Sequence, residues 1–264
     1  MNFGLLIVGD EILSGKRVDK HLPKVIELLS ARGLSLSWAR YVGDDPVRIT
    51  ADLRDAFASG DIVFSCGGIG ATPDDHTRQC AAAALGRPLV LHPQARELIL
   101  ERARDMAKEQ GTVLDENHPD THRRLQMGVF PEAAEIIPNP FNKIPGFTVG
   151  DVHFVPGFPV MAHPMIESLL DHRYAALHRS GHWQERSVVV FGAMEAALTP
   201  LMEGIEAGHP GVKVFSLPSV DHPQWGRHIE LGVKGTPAQV EAAFPALLAG
   251  LAAFGAQLGP ELVR

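Results

Sequence analysis

Apolar residues fall into short blocks that alternate between two periods along the first 170 positions. Phe3–Val8 reads FGLLIV without a polar break, which predicts a strand buried on both faces. From Val18 to Arg32 the period lengthens. Leu22, Val25, Ile26, Leu28 and Leu29 share one helix face, and Gly33 stops the helix. Leu34–Val42 predicts a second strand. Gly43-Asp44-Asp45-Pro46 closes that strand and opens a helix through Ile49, Leu53 and Phe57. Ile62-Val63-Phe64 is a third buried strand. Strands alternating with helices over short connections imply parallel pairing and right-handed crossovers.

The pattern continues with a helix over Thr77–Leu85, a short extended piece at Arg87–Leu91 and a long helix from Pro93 to about Gln110. Asp115–Pro119 reads as a polar turn, Arg123–Met127 as a short helix and Glu135–Ile137 as a brief strand. The turn-rich segment Asn139–Gly146 is expected to be irregular. Val152–Val155 is another core strand, and a helix over Val160–Leu170 follows Pro156-Gly157-Phe158-Pro159. Residues 1–171 thus form one α/β domain. The polar stretch 172–185 reads as a linker. Arg186–Phe191, Glu195–Ala207, Val212–Leu217, His228–Val233 and Pro237–Phe254 then spell β-α-β-β-α, a small α+β domain over residues 186–264.

Between strand and helix lies the stretch with the densest chemistry, Asp61–Arg78. Gly67, Gly68 and Gly70 follow the third strand at once and allow positive φ and close approach to a ligand. Thr72-Pro73-Asp74-Asp75 carries the signals of a helix start, with Thr72 as N-cap, Pro73 first in the helix and Asp75 completing a capping box. Strand, glycine loop and helix N-terminus together suit a phosphate or another anion. Asp74 and Asp75 would repel a bare phosphate; a divalent cation bound to carboxylate and phosphate oxygens removes the conflict. Asp10 and Ser14, after the first strand, and Asp44, after the second, stand at the same carboxyl edge of the sheet, where open α/β sheets bind ligands. Each also has an ordinary explanation in loop solvation or helix capping. A dinucleotide fingerprint fails because Pro73 stands where its third glycine belongs, and neither a phosphate-binding GxxxxGK[ST] loop nor a GxSxG elbow occurs.

Charge and cysteine content narrow the classes. A net charge of −7 does not favour nucleic acid or an anionic membrane as partner. The scattered tryptophans show no interleaving with basic residues. Cys66 and Cys80 are too few for a disulfide framework and read as buried free thiols, which fits a cytoplasmic protein. No signal peptide is apparent, and no window reads as a membrane-spanning run. The pairs His118/His122 and His178/His182 have zinc-like spacing. Pro119 and Gly181 interrupt both, and no cysteine lies near.

Four motifs, taken in order, carry a family resemblance: Gly9-Asp10-Glu11-Ile12-Leu13-Ser14-Gly15, Val42-Gly43-Asp44-Asp45, Gly67 through Thr77, and Pro156-Gly157-Phe158-Pro159. From Gly4 to about Leu170 the chain resembles the molybdopterin-binding domain of the MoaB/Mog kind, in the version found in CinA-type competence/damage-inducible proteins. The C-terminal unit resembles the small domain that follows it there, with Phe191–Glu195 at the position of a glycine-glutamate turn. The resemblance implies a three-layer αβα domain with a mostly parallel sheet, a homo-oligomer, and a pterin or nucleotide ligand held through phosphate. Gly67, Gly68, Gly70, Thr72, Ser14, Pro156 and Gly157 would bind it. Asp10, Asp44 and Asp75 would hold magnesium, manganese or cobalt, with Asp44 and Asp75 catalytic. Two chemistries remain open, hydrolysis of ADP-ribose or a related dinucleotide pyrophosphate and adenylyl transfer to molybdopterin; a non-catalytic binding module is the third reading. The chain departs from the family at Asn142-Lys143-Ile144, in place of a glycine-threonine-alanine loop, and at Met161-Ala162, in place of a glutamate-methionine pair. It ends where such proteins continue into an amidase domain, so that activity is expected to be absent.

Overall fold

The computed structural model of the chain describes residues 2–178 and 184–263. The chain divides into two compact units after His178. In the first unit, β1 (Phe3–Val8) is followed by a helical turn, α1 (Asp10–Leu13), and by α2 (His21–Ser30). Then come β2 (Leu36–Val42), α3 (Pro46–Ser59), β3 (Ile62–Cys66), α4 (Thr77–Leu85), β4 (Leu89–Leu91), α5 (Pro93–Glu109) and α6 (Pro119–Leu125). The unit closes with β5 (Val129–Pro131), β6 (Glu135–Ile137), β7 (Gly146–Val149), β8 (Val152–Val155) and α7 (Pro159–His172). Its main sheet has the order β2-β1-β3-β8-β7-β6. β2, β1, β3 and β8 run parallel; β7 pairs antiparallel to β8 and β6 antiparallel to β7, so β7 alone runs against the rest.

Three layers follow from the alternation of side chains along the strands. Phe3, Leu5 and Ile7 of β1, with Ile62 and Phe64 of β3, pack against α2 and α7. Leu6 and Val8, with Val63, pack on the other face against α3 and α4. Every residue of β1 and β3 is buried, as a strand between two helical layers requires. From β1 the chain crosses to β2 on one side and, after β2, returns to β3 on the other. The carboxyl ends of β1 and β3 therefore flank a topological switch point, where the loops diverge and leave a crevice.

The second unit comprises β9 (Gln184–Phe191), α8 (Glu195–Gly208), β10 (Lys213–His222), β11 (Gly226–Gly235), α9 (Pro237–Phe254) and β12 (Gln257–Val263). Its antiparallel sheet has the order β10-β11-β9-β12, so β12 adds a strand to the expected β-α-β-β-α. The outer strands β10 and β12 each carry a proline, Pro218 and Pro260. By length and composition α9 matches a membrane span, contrary to the expectation that no window would. Val240, Phe244, Leu247 and Leu251 of α9 are buried in one core with Val188, Leu231 and Val233 of the sheet.

Four local expectations are corrected. Thr72 does not start a helix. It lies in a turn, and α4 begins at Thr77 with His76 at the N-cap. Pro119 does not interrupt a helix but is the first residue of α6, with His118 as its cap. The segment Asn139–Gly146 is irregular except at its end, where Gly146 begins β7. The loop after β1 contains the helical turn α1. Cys66 and Cys80 are both buried and free. His182, one half of a predicted histidine pair, and Gly181 lie outside the described residues; His178 bonds the Leu170 carbonyl.

Candidate functional site

The loops leaving β1, β2, β3 and β8 enclose a cavity of about 590 Å³ at the switch point. That is a ligand-sized volume. Its floor is the glycine loop. Gly67 has φ 105° and Gly68 φ 68°. A Cβ on Gly67 would overlap the Val8 carbonyl oxygen of β1, and one on Gly68 would overlap the Thr77 hydroxyl. The loop is pinned from below. Gly67 N–H donates to the Val155 carbonyl at 3.0 Å, and Thr77 Oγ1 donates to the Gly67 carbonyl at 3.0 Å. Thr77 N–H donates to the Gly68 carbonyl at 2.9 Å.

The predicted pairing of Thr72 and Asp75 exists without the helix it was expected to cap. Thr72 N–H donates to Asp75 Oδ2 at 2.9 Å and its hydroxyl donates to the same oxygen at 2.5 Å. Residues 71–74 are exposed, so this turn has no apolar face to bury. Helix forms only from Thr77, where Thr77, Arg78, Cys80 and Ala81 enter the core.

No motif in the sequence marks Arg78. It is 4% exposed beneath the glycine loop. Its Nη2 donates to the Gly70 carbonyl at 2.5 Å and its Nη1 to the Gln126 carbonyl. Burial lowers its pKa, and the Asp75 carboxylate opposes that shift. An arginine at a helix start normally reads as a solvated residue. Nothing local in the sequence shows that two carbonyls converge on it.

Asp10 and Asp44 join the first two loops. Asp10 N–H donates to Asp44 Oδ2 at 3.0 Å, and Asp44 N–H donates to Asp10 Oδ1 at 3.1 Å. Capping of α3 falls to Asp45, which accepts from Val47 N–H at 2.9 Å, so Asp44 has no capping duty. Asp44, Asp74 and Asp75 line the cavity together with Glu11 and Arg17. Asp10 and Ser14 do not line it, whereas Gly67, Gly68, Gly70, Thr72, Pro156 and Gly157 do. Of the departures from the family pattern, Asn142, Ile144 and Met161 line the cavity. Lys143 turns away to Glu101 and Asp105 of α5, at 2.7 and 2.8 Å, and Ala162 is buried in the core.

Burial raises the Asp44 pKa, and the negative charges of Asp10, Glu11 and Asp74 raise it further, against the lowering effect of the Asp10 N–H. Because the folded pKa lies above the unfolded one, ionising Asp44 opposes folding. Stability falls as pH rises from the unfolded value through the folded one. Asp44→Asn removes that charge and keeps an oxygen to accept the Asp10 N–H. Its melting temperature is expected to exceed that of the native chain by a few degrees at pH 7, with the difference vanishing in acid. Thermal melts across pH check this; an equal or lower midpoint at pH 7 refutes it.

The cavity wall offers carboxylate oxygens but neither thiolate nor imidazole. Among the described residues, no group of three or more His, Cys, Asp or Glu stands ready to hold a metal ion. Such a wall fits a hard cation of the magnesium type, which takes one or two carboxylates and draws its other ligands from water and phosphate. It does not fit a self-sufficient zinc site.

Residues 4–176 match the family described as "Probable molybdopterin binding domain". A CinA-like protein of Syntrophotalea carbinolica is 33% identical over 220 residues, covering 78% of this chain and 50% of its own length. A protein of Pyrobaculum calidifontis is 30% identical over 251 residues, 92% of each chain. The crystal structure of CinA from Thermoplasma acidophilum superposes with a TM-score of 0.54 at 27% identity, covering 65% of this chain and 98% of that one. The chain belongs to the molybdopterin-binding-domain family and is a relative of the CinA-like proteins. It spans about half the length of the Syntrophotalea protein.

Proposed function

We propose that the first unit binds a pyrophosphate-linked nucleotide, ADP-ribose or a close relative, and hydrolyses it with the help of a divalent cation. One observation carries this reading. A backbone floor with no room for side chains, at Gly67 and Gly68, lines one cavity together with the carboxylates of Asp44, Asp74 and Asp75. Phosphate suits the floor and a hard cation suits the wall.

Asp44 and Asp75 would hold the cation, whose chemistry when bound is to neutralise phosphate charge. The chain's own residues do the rest. Backbone N–H groups of residues 68–71 would donate to phosphate oxygens. Thr72 fixes the Asp75 carboxylate through two hydrogen bonds. Asp44 and Asp75 would also order the attacking water beside that cation, and the water's proton passes to solvent. That water adds to one phosphorus, the bridging P–O bond breaks, and two monophosphates leave.

Incubating the protein with ADP-ribose, FAD or NAD and magnesium, manganese or cobalt is expected to release AMP. Asp75→Asn should slow that release about a hundredfold or more. A second reading rests on Met161, which lines the cavity where the family carries glutamate, with its sulfur 3.7 Å from Asn142 Nδ2. A site lacking that carboxylate could bind a nucleotide or molybdopterin without turning it over. Ligand-dependent thermal stabilisation with no product in any mixture would favour it. ATP-dependent loading of a pterin would instead indicate adenylyl transfer.

A further inference from the structure

A second chamber, of about 410 Å³, adjoins the first. Glu11, Arg17 and Gly157 line both, so the two share a wall. Their charges differ. The first chamber collects Glu11, Asp44, Asp74 and Asp75 against a single cation, Arg17. The second has Arg17 and Lys20 against Glu11 alone. Neither cation is within ion-pairing distance of a carboxylate among the described residues, although the surface elsewhere is rich in ion pairs. Asp19, the other nearby acid, is already engaged: it accepts from His21 N–H, Leu22 N–H and the Tyr41 hydroxyl.

The wall between the chambers is built rather than incidental. Arg17 stands 6.0 Å from the centre of the Phe158 ring, an arrangement that holds a guanidinium by cation–π attraction. His21 is 4% exposed and donates from Nε2 to the Gly157 carbonyl at 3.1 Å. Burial lowers its pKa, so the ring stays neutral and adds no charge of its own. Two unpaired cations beside a cavity attract a further anionic group.

We infer that the second chamber is an anion subsite, and that the preferred ligand carries a phosphate beyond its pyrophosphate, held by Arg17 and Lys20. This rests on the pyrophosphate-ligand reading above and adds a specificity to it. The acidic chamber takes the metal-bridged pyrophosphate, and the basic chamber takes the additional phosphate monoester.

Calorimetric titration of matched pairs tests it: NAD against NADP, and ADP-ribose against its 2′-phosphate. The phosphorylated member should bind the native protein about tenfold tighter than its partner. That ratio should fall towards one in Lys20→Ala and in the Arg17→Ala/Lys20→Ala double variant. A ratio near one in the native protein, or one that survives the double variant, overturns the inference. A second arm uses inorganic phosphate alone and follows the His21 ring protons by NMR. If no nucleotide binds but phosphate shifts the His21 signals only when Arg17 and Lys20 are present, the subsite stands and the pyrophosphate reading falls. If no nucleotide binds and phosphate leaves His21 unmoved, or moves it equally in the double variant, the subsite falls as well.

Discussion

Gly67→Ala is expected to abolish ligand binding and to lower the melting temperature of the first unit by about 10 °C. Two costs combine. A residue with a Cβ at φ 105° is strained whatever its surroundings. The added methyl would also overlap the Val8 carbonyl oxygen, which belongs to the interior strand β1 and cannot swing aside as a side chain would. Together they cost about 3 kcal/mol. Gly60→Ala separates the two. Gly60 has φ 70° and open space where a Cβ would stand, so it incurs strain alone, about 1 kcal/mol. Differential scanning calorimetry of both variants, with and without ADP-ribose, checks the comparison. Equal losses would show that the backbone overlap is relieved and that the floor is soft.

Arg78→Met should weaken ligand binding by about tenfold to a hundredfold while leaving the chain folded. Methionine fills the volume but leaves the carbonyls of Gly70 and Gln126 without their charged donor. Each such loss costs about 1.5–3 kcal/mol. Relief of a buried guanidinium offsets part of it, so a net destabilisation of about 2 kcal/mol is expected. The distinguishing readout is local. Amide hydrogen exchange should quicken over residues 67–78 and stay unchanged in β1. Arg78→Lys should recover part of the affinity, because one ammonium can serve one carbonyl but not the fork of two. Uniformly faster exchange, or full activity in the methionine variant, would show that Arg78 does not position the loop.

These two residues mark how far the sequence could be read. Gly67 was legible because three glycines after an apolar run signal close backbone approach. Arg78 was not, since its burial depends on Gln126, 48 positions away. The same contrast runs through the fold. β1, β3, α4, α5 and α9 were readable from unbroken apolar runs or a sustained helical period. β7 was hidden behind Pro145 and Gly146, which look like turn residues until β8 pairs with the segment that follows. β12 looks like a polar tail, with Pro260 in its middle, and becomes a strand only by pairing with β9. Capping chemistry at Thr72 and Asp75 identified a real hydrogen-bonded pair but not a helix. A cap satisfies a terminus, while propagation needs a face to bury. Asp44 was recognised by its place after the second strand. Its raised pKa comes from burial and from acids on two other loops, Asp10 and Glu11 after β1 and Asp74 after β3, which only the folded chain brings together.

The rims of the second unit's sheet have a consequence for behaviour in concentrated solution. Each outer strand presents a row of backbone groups that another chain could extend. Pro218 in β10 and Pro260 in β12 interrupt those rows, since proline supplies no N–H to an incoming strand. The two prolines act as gatekeepers against strand-by-strand polymerisation, and a strand-forming residue at either place would turn a closed edge into a template.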